Sequence, residues 1–453
     1  MNISELKLDS GLYFLGIGGI SMSAIALILA EKGYSISGYD RTLSDVTDKL
    51  EKNNIKVYSE FHASQLENCG AVIYSAAFGP DHPMMKEIVK SGKKLYSRAE
   101  VLGALANLYK NSVAIAGTHG KSTTSGMLGH VLLNALGCDP TIVVGAVMRD
   151  VGSTYRIGHD DNFVYEACEY KDSFLSFFPN IAVVLNISLD HTDYFTGIEH
   201  MRKSFTQYMN NTGKDGYAIY NYDCENCHIS AEKYVGTKIT FSATGNENAT
   251  YYAKNISIVG GYASFDVYKN KSFFLSLKLS APGEHNIANS LAVIAVCDLI
   301  GITKEDMVKG IVSFAGVGRR FEYKGSFCGA DVYDDYAHHP DEIKVTLDAA
   351  KQITRNRVVC VFQPHNYSRL KDLFDEFKTS FKDADILILC PLYAAREACG
   401  TEVSSKKLSE EINGSLYFET FDEIKEYLKN ELKTGDLLLI MGAGDITKLA
   451  NSI

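Results

Sequence analysis

The stretch Gly117-Thr118-His119-Gly120-Lys121-Ser122-Thr123 places two glycines, an amine and hydroxyls within seven positions. That combination suits a phosphate cradle. Glycines let backbone N–H groups turn toward phosphate oxygens, Lys121 reaches the outer phosphates, and the Ser122 hydroxyl sits on Mg²⁺. The strict phosphate-loop pattern has a further glycine where this chain has Ile115, so the match is partial. The bland alternative is a glycine-rich turn with a solvated lysine. Two further groups belong to the same chemistry: Glu169, at the end of a run from Phe163, and His191, after Asp190 in the segment that follows Ile181–Ile187. A carboxylate and an imidazole are reasonable Mg²⁺ ligands when phosphates and waters complete the shell.

The elements that must hold these groups follow from the apolar pattern. Val113 to Ala116 reads as a buried strand entering the glycine loop, and the run after Ser122 reads as a helix. Further strands end at Glu169 and before Asp190-His191, so a parallel sheet would bring both to the phosphate loop at one edge. A second glycine turn lies upstream. Leu12–Leu15 is a strand, Gly16-Ile17-Gly18-Gly19-Ile20-Ser21 a turn, and the next strand ends at Asp40. This is the Rossmann layout, with a helix start for a diphosphate and an acid for a ribose, and Ser21 replaces the third glycine. Ser75, and Ser97 with Arg98, fall at strand C-termini, where such sheets bind ligands; each also reads as an ordinary cap or turn.

Composition bounds the rest. A chain of 453 residues is too long for one core and suggests two to three domains. The net charge of −10 argues against a nucleic-acid-binding surface. Residues 1–7 contain no apolar leader region, no run is long enough to span a bilayer, and ten scattered cysteines fit reduced thiols, so a cytoplasmic protein is expected. Cys224-Glu225-Asn226-Cys227-His228 matches the haem-attachment pattern, but nothing else supports haem or zinc, and it reads as a coincidence in a loop. Residues 237–279 alternate as antiparallel strands. His285, Asn286 and Asn289 stand at a helix start suited to a nucleotide edge or to simple capping. From Gly316 onward, strands again end in polar clusters: Asp334 to His339, Gln363 to Arg369, and Gly442 to Asp445.

Taken in order, these motifs resemble the Mur ligases. The resemblance rests on Gly117 to Ser122, Glu166 to Glu169, Asn186 to Tyr194, His285 to Asn289, Gly318 to Glu322, Asp334 to Pro340 and Gln363 to Arg369, and it covers essentially the whole chain. It implies an α/β protein of three domains. Residues 1–109 would form a Rossmann-like domain for a UDP-sugar. Residues 110–315 would form a central phosphate-loop domain for ATP and Mg²⁺, with a parallel sheet and extra antiparallel strands. Residues 316–453 would form a Rossmann-like α/β domain contributing to amino-acid and nucleotide binding. The substrates implied are UDP-N-acetylmuramate and L-alanine, His119 being the residue that resembles the alanine-adding members.

The resemblance also implies roles. The diphosphate would lie on Gly16, Gly18, Gly19, Ile20 and Ser21, with Asp40, Ser75, Ser97 and Arg98 completing the sugar-nucleotide site. Gly117 to Thr123 would hold phosphates, Ser122 and Glu169 one metal ion, and His191 a second. Lys121, Glu169 and His191 would carry catalysis. Asn289, Arg320, Asp335 and Tyr336 would contact the nucleotide. His119, His338, His365 and Arg369 would face substrate, with Arg369 on the amino-acid carboxylate. Ser21 and Ser23 depart from a more glycine-rich turn, and Asn366 stands where many relatives carry a basic residue or Thr. Some relatives carry a carbamylated lysine; Lys203 is the one position guessed for it.

Three other readings stand beside this one. A relative that attaches a whole peptide to the same sugar is disfavoured by the short segment between Glu169 and Asn186. A nicotinamide-dependent dehydrogenase would leave the second phosphate loop, Glu169 and His191 without a purpose. A non-catalytic nucleotide-binding subunit would be indicated by loss of Lys121 or Glu169, and both are present. A monomer or homodimer is expected.

Overall fold

A computed structural model describes residues 11–75, 77–192, 194–395, 397 and 403–453. Residues 1–7, read above for a leader, lie outside them. The chain forms two compact units. One holds residues up to 242 with 248–250 and 292–307; the other holds 243–247, 251–291 and 308–453.

The first unit begins with five strands: β1 (Gly11–Leu15), β2 (Ile36–Tyr39), β3 (Lys56–Tyr58), β4 (Cys69–Tyr74) and β5 (Lys94–Ser97). They pair in the order β3-β2-β1-β4-β5, all parallel. The helix Ile20–Glu31 crosses from β1 and is buried along Met22 to Leu29, which explains its nearly unbroken apolar sequence.

Seven more strands follow in this unit: β6 (Asn111–Ala116), β7 (Thr141–Met148), β8 (Ser153–Arg156), β9 (Asn162–Glu166), β10 (Ile181–Val184), β11 (Tyr217–Asn221) and β12 (Thr237–Ser242). They run β12-β11-β10-β6-β9-β7-β8, parallel except for β8 against β7. β6 is central and fully buried from Ser112 to Ala116, so its small and β-branched residues need no polar alternation. The helix Lys121–Asn134 is buried on nearly every side. Gly129 lets it approach β7, because a Cβ there would stand 2.9 Å from Ile142 Cδ1.

The second unit contains an antiparallel meander, β13 (Tyr251–Val259), β14 (Tyr262–Lys269) and β15 (Ser272–Lys278). It also contains β16 (Glu322–Phe327), β17 (Ala330–Asp335), β18 (Val358–Phe362), β19 (Ile386–Leu389), β20 (Leu416–Tyr417) and β21 (Leu437–Met441). The order is β16-β17-β21-β18-β19-β20, and only β16–β17 is antiparallel. β18 and β21 are buried throughout, and apolar clusters fill both faces of this sheet.

The reading of Cys224–His228 as a loop is corrected. Cys224 caps a helix over Glu225–Ala231, and His228 packs its ring against Tyr220 and Tyr222. Lys203, the guess for a carbamylated lysine, is exposed on the helix Ile198–Asn210, whose inner face is Met201, Ser204, Phe205, Tyr208 and Met209. A metal bridge from that outward-facing position finds no support.

Candidate active site

In the first unit the registers decide what meets. Ala116 lies opposite Val184, and Ile115 opposite Glu166, so the segments leaving β6, β9 and β10 emerge at one edge. The segment after β6 turns through Gly117 (φ 142°) and Gly120 (φ 87°) into the helix beginning at Lys121. It is tied to the segment after β10. Asn186 accepts from the His119 N–H at 2.8 Å, donates to the His119 carbonyl at 3.0 Å, and its own carbonyl accepts from Thr118 N–H at 3.1 Å. Thr118 Oγ1 donates to the Ser188 carbonyl and accepts from the Ser188 N–H. Asn186 had no assigned role in the sequence; its pairing across strands leaves no spacing signal.

Lys121 points back under this loop. Its Nζ donates to the Gly117 carbonyl, to the Thr118 carbonyl at 3.0 Å and to Glu169 Oε1 at 3.1 Å. Burial alone would lower the Lys121 pKa, but the Glu169 carboxylate outweighs it and the net shift is upward. Glu169 is fully buried, which would raise its pKa; Lys121 and a bond from His191 bring it below the usual carboxylate range. This is a charged pair held out of water, the condition in which electrostatics are strongest.

His191 Nε2 lies 3.5 Å from Glu169 Oε1 and 3.8 Å from Asp190 Oδ2. Glu169, Asp190 and His191 each offer a ligand atom, all within 4.8 Å of one another. Sequence reasoning treated Asp190 only as a flank; the fold adds it to the set. Two hard carboxylates and an imidazole fit a divalent cation such as Mg²⁺. The backbone here is special: His191 (φ 52°), Lys171 (φ 53°) and Asp172 (φ 54°) are left-handed without being glycine.

Gly117→Ala is expected to disable the loop. A Cβ at this left-handed position would stand 3.0 Å from Leu185 Cβ and 3.2 Å from the Asn186 N and O atoms. Nucleotide affinity, measured by calorimetry, should fall at least tenfold, equivalent to about 1.4 kcal/mol; unchanged affinity would refute the clamp.

The N-terminal glycine turn is built from the same unit. Asp40 accepts from Gly18 N–H at 2.9 Å and Thr42 N–H at 3.0 Å, so both its oxygens hold backbone. Ser97 caps the helix Arg98–Ala106 reciprocally with Glu100. Arg98 donates to Ser21 Oγ at 3.0 Å, bringing two of the expected residues together. Burial lowers the Arg98 pKa, partly opposed by Cys168 and Glu166. The Ser75 Oγ lies beside Gly16, and Ile20 is exposed at the helix start.

The second unit gathers the remaining predicted residues at the exit of its own strands. Arg319 and Arg320 lie over the Tyr336 ring, at 5.0 and 5.3 Å from its centroid. Asp335 accepts from Phe321 N–H at 2.6 Å and Ala337 N–H at 2.7 Å. His338 Nδ1 donates to the Tyr336 carbonyl at 2.9 Å and lies 3.3 Å from Glu342. Its ring meets His365, which stacks on Tyr393 and lies 3.4 Å from Arg369. Burial lowers the pKa of His338 and of His365 to about 4, so both are neutral at pH 7. His285 is held neutral by burial and by Arg320, also at about 4. Asn289 donates to Asn286 Oδ1 at 2.9 Å. Asn366 is left-handed (φ 69°), and its Oδ1 is buried without a hydrogen-bond partner among the described residues.

Burial, opposed by Arg320 and the two backbone donors, pushes Asp335 up to about 6 from 3.8. A carboxyl raised on folding stabilises the fold fully below its unfolded pKa and loses that contribution as pH rises through the folded value. Between about pH 4 and 6 the wild-type protein should therefore lose up to about 3 kcal/mol of stability from this group. Melting profiles of wild type and Asp335→Asn across that window check it: the variant should lack this component, and parallel profiles would contradict it.

A parallel sheet with a phosphate loop, a buried Lys–Glu pair and a cation-type triad defines a nucleotide-using enzyme class. Residues 11–110, 115–297 and 319–444 match the profiles described as Mur ligase family, catalytic domain, Mur ligase middle domain, and Mur ligase, glutamate ligase domain. The chain belongs to the Mur ligase family. Among its relatives, the UDP-N-acetylmuramate–L-alanine ligase of Clostridium tetani is 44% identical, covering 99% of this chain and 98% of that one. The same-named protein of Clostridium acetobutylicum is 43% identical over 98% of each. The solved UDP-N-acetylmuramate-alanine ligase of Thermotoga maritima superposes with a TM-score of 0.80 at 27% identity, over 98% of both chains. A murein peptide ligase from Psychrobacter arcticus shares the fold, with a TM-score of 0.72 at 21% identity.

Proposed function

We propose that this chain joins L-alanine to the lactyl carboxylate of UDP-N-acetylmuramate, using ATP and releasing ADP and phosphate, in peptidoglycan biosynthesis. The observation that carries the reading is the full-length similarity to ligases named for this reaction, together with the Lys121–Glu169 pair under the phosphate loop. The peptide-attaching alternative has likenesses at 21% and 26% identity, well below the 44% reached with a ligase named for alanine.

The chemistry accounts for the parts. A carboxylate is a poor acyl donor, so its oxygen first attacks the γ-phosphorus, and ADP leaves with the bond electrons. Lys121 neutralises charge in that in-line transfer, and the N–H groups of residues 117–122 hold the phosphates. Ser122, Glu169 and His191, with Asp190, would hold one or two Mg²⁺ ions, which supply further charge neutralisation. The neutral alanine amine then attacks the acyl phosphate carbonyl, and phosphate departs as the amide forms. Arg369 pairs with the alanine carboxylate, and the neutral His365 and His338 line that side without repelling the amine. Asn289, Arg320, Asp335 and Tyr336 contact the nucleotide.

Residues 1–109 form the UDP-sugar domain in this reading, 110–315 the ATP and Mg²⁺ domain, and 316–453 the domain for the amino acid. No helix among the described residues is long and apolar enough to cross a membrane. In this reading the chain acts in the cytoplasm. The chain works as a monomer or homodimer. Arg98→Ala should raise KM for UDP-N-acetylmuramate about 10- to 100-fold, as expected for a half-buried charged donor, while KM for ATP stays within about threefold. Equal changes in both would argue against a sugar-nucleotide role.

The deciding experiment is phosphate release from ATP with Mg²⁺, UDP-N-acetylmuramate and each amino acid in turn. Release that needs the sugar nucleotide and peaks with L-alanine supports the proposal. Release only with a preformed peptide overturns it in favour of the peptide-attaching reaction.

A further inference from the structure

The cation-type triad draws its members from strands that are not neighbours. β6 lies between β9 and β10, which separates the strands leading to Glu169 and His191 by two inter-strand spacings, about 9.5 Å. Yet His191 Nε2 lies 3.5 Å from Glu169 Oε1. The segments beyond the strands must therefore fix that approach. The segment after Glu169 closes on itself: Asp172 N–H donates to the Glu169 carbonyl at 2.9 Å, and Ser173 Oγ donates to the Cys168 carbonyl at 2.8 Å. The segment after His191 does the same, with the N–H groups of Tyr194 and Phe195 donating to the His191 carbonyl at 2.8 and 2.9 Å. The two segments are joined where Tyr194 Oη donates to Asp172 Oδ2 at 2.7 Å, and where the Tyr170 ring centroid lies 4.7 Å from that of His191. Tyr194 is itself braced by the buried Phe195 and by His200, with ring centroids 5.0 and 5.6 Å away.

We infer that Tyr194 and Asp172 are positioning residues, whose hydrogen bond holds the His191 turn against the Glu169 turn at the spacing a divalent cation needs. The inference rests on the reading of Glu169, Asp190 and His191 as the cation site. The backbone supplies the reason such a tie is required. Lys171, Asp172 and His191 are all left-handed, at φ 53°, 54° and 52°, and none is glycine. Side-chain-bearing residues persist in that region only where their surroundings over-determine them. A phenol donating to a carboxylate makes a short, strong hydrogen bond. It joins the two turns through side chains three positions beyond each ligand, since Asp172 follows Glu169 by three and Tyr194 follows His191 by three. Neither belongs to the triad, and both act through Glu169 and His191.

The test uses the full chain and Mn²⁺ alone as the probe, its free fraction read by paramagnetic resonance, together with amide hydrogen exchange of the metal-free protein. Tyr194→Phe removes one oxygen and keeps the ring. It should weaken Mn²⁺ binding about fivefold or more and speed exchange at the amides of residues 194 and 195 about threefold or more, the scale of one lost hydrogen bond. Asp172→Ala should reproduce both effects, and the double variant should be no worse than either single one, because the same bond is already gone. Asp172→Asn keeps an acceptor for the phenol and should recover most of the Mn²⁺ affinity. Wild-type affinity in Tyr194→Phe, or additive losses in the double variant, would overturn the inference. Glu169→Gln separates this from failure of the cation reading. If it weakens Mn²⁺ binding and Tyr194→Phe does not, only the tie is refuted. If Glu169→Gln binds Mn²⁺ like wild type, the triad is not the cation site and the inference falls with it. None of these readouts depends on ligase activity.

Discussion

Lys121→Met should lower turnover by a factor on the order of a thousand, the scale seen when one preorganised charge donor is removed from a transition state. The side chain is 16% exposed and touches the Gly117 and Thr118 carbonyls and both Glu169 oxygens. Met has similar length and no charge, so the loop loses its cation without gaining a cavity. The loss should appear in kcat more than in KM for ATP, because charge builds on the transferring phosphoryl group in the transition state. Steady-state phosphate release with saturating substrates measures it. A variant within about tenfold of wild type would remove Lys121 from the mechanism.

Glu169→Gln should be nearly as damaging by a different route. Glutamine keeps the shape and one acceptor but gives up the charge that balances Lys121 and makes the site attractive to a divalent cation. The Mg²⁺ concentration for half-maximal activity should rise at least tenfold, and turnover at saturating Mg²⁺ should fall on the order of a hundredfold or more. Glu169→Ala goes further: it leaves the buried Lys121 unpaired, which costs roughly 3–5 kcal/mol of stability. Melting curves separate the two effects. If Glu169→Gln kept both its Mg²⁺ response and its turnover, the triad would not be the metal site.

Both predictions rest on residues that their local setting in the chain exposes. A lysine after two glycines, at the junction of an apolar strand and a helix, has few other uses. An acid at the end of a buried strand is conspicuous for the same reason. Asn186 was not legible in this way, because an asparagine after a strand is ordinary until the partner loop is in place. Asp40 was legible as an acid at a strand end, but the fold engages both its oxygens with the backbone of Gly18 and Thr42. The cysteine pair reads in the sequence as a coincidence in a loop, with haem set aside; the chain instead makes it the start of a helix whose Asn226 bonds the Ile187 carbonyl.

The periodicity of apolar residues and the placement of glycines already specify parallel α/β architecture, the two glycine turns and the residues at strand ends, because strand alternation and left-handed turns are local properties of the chain. Which strand ends lie side by side is not local. The register of β6 between β9 and β10 brings Lys121, Glu169, Asp190 and His191 within bonding reach, and long-range packing of the sheet decides that register. The protonation of these groups is also a tertiary property, since it depends on how much water the surrounding chain removes and which charge it leaves beside each one.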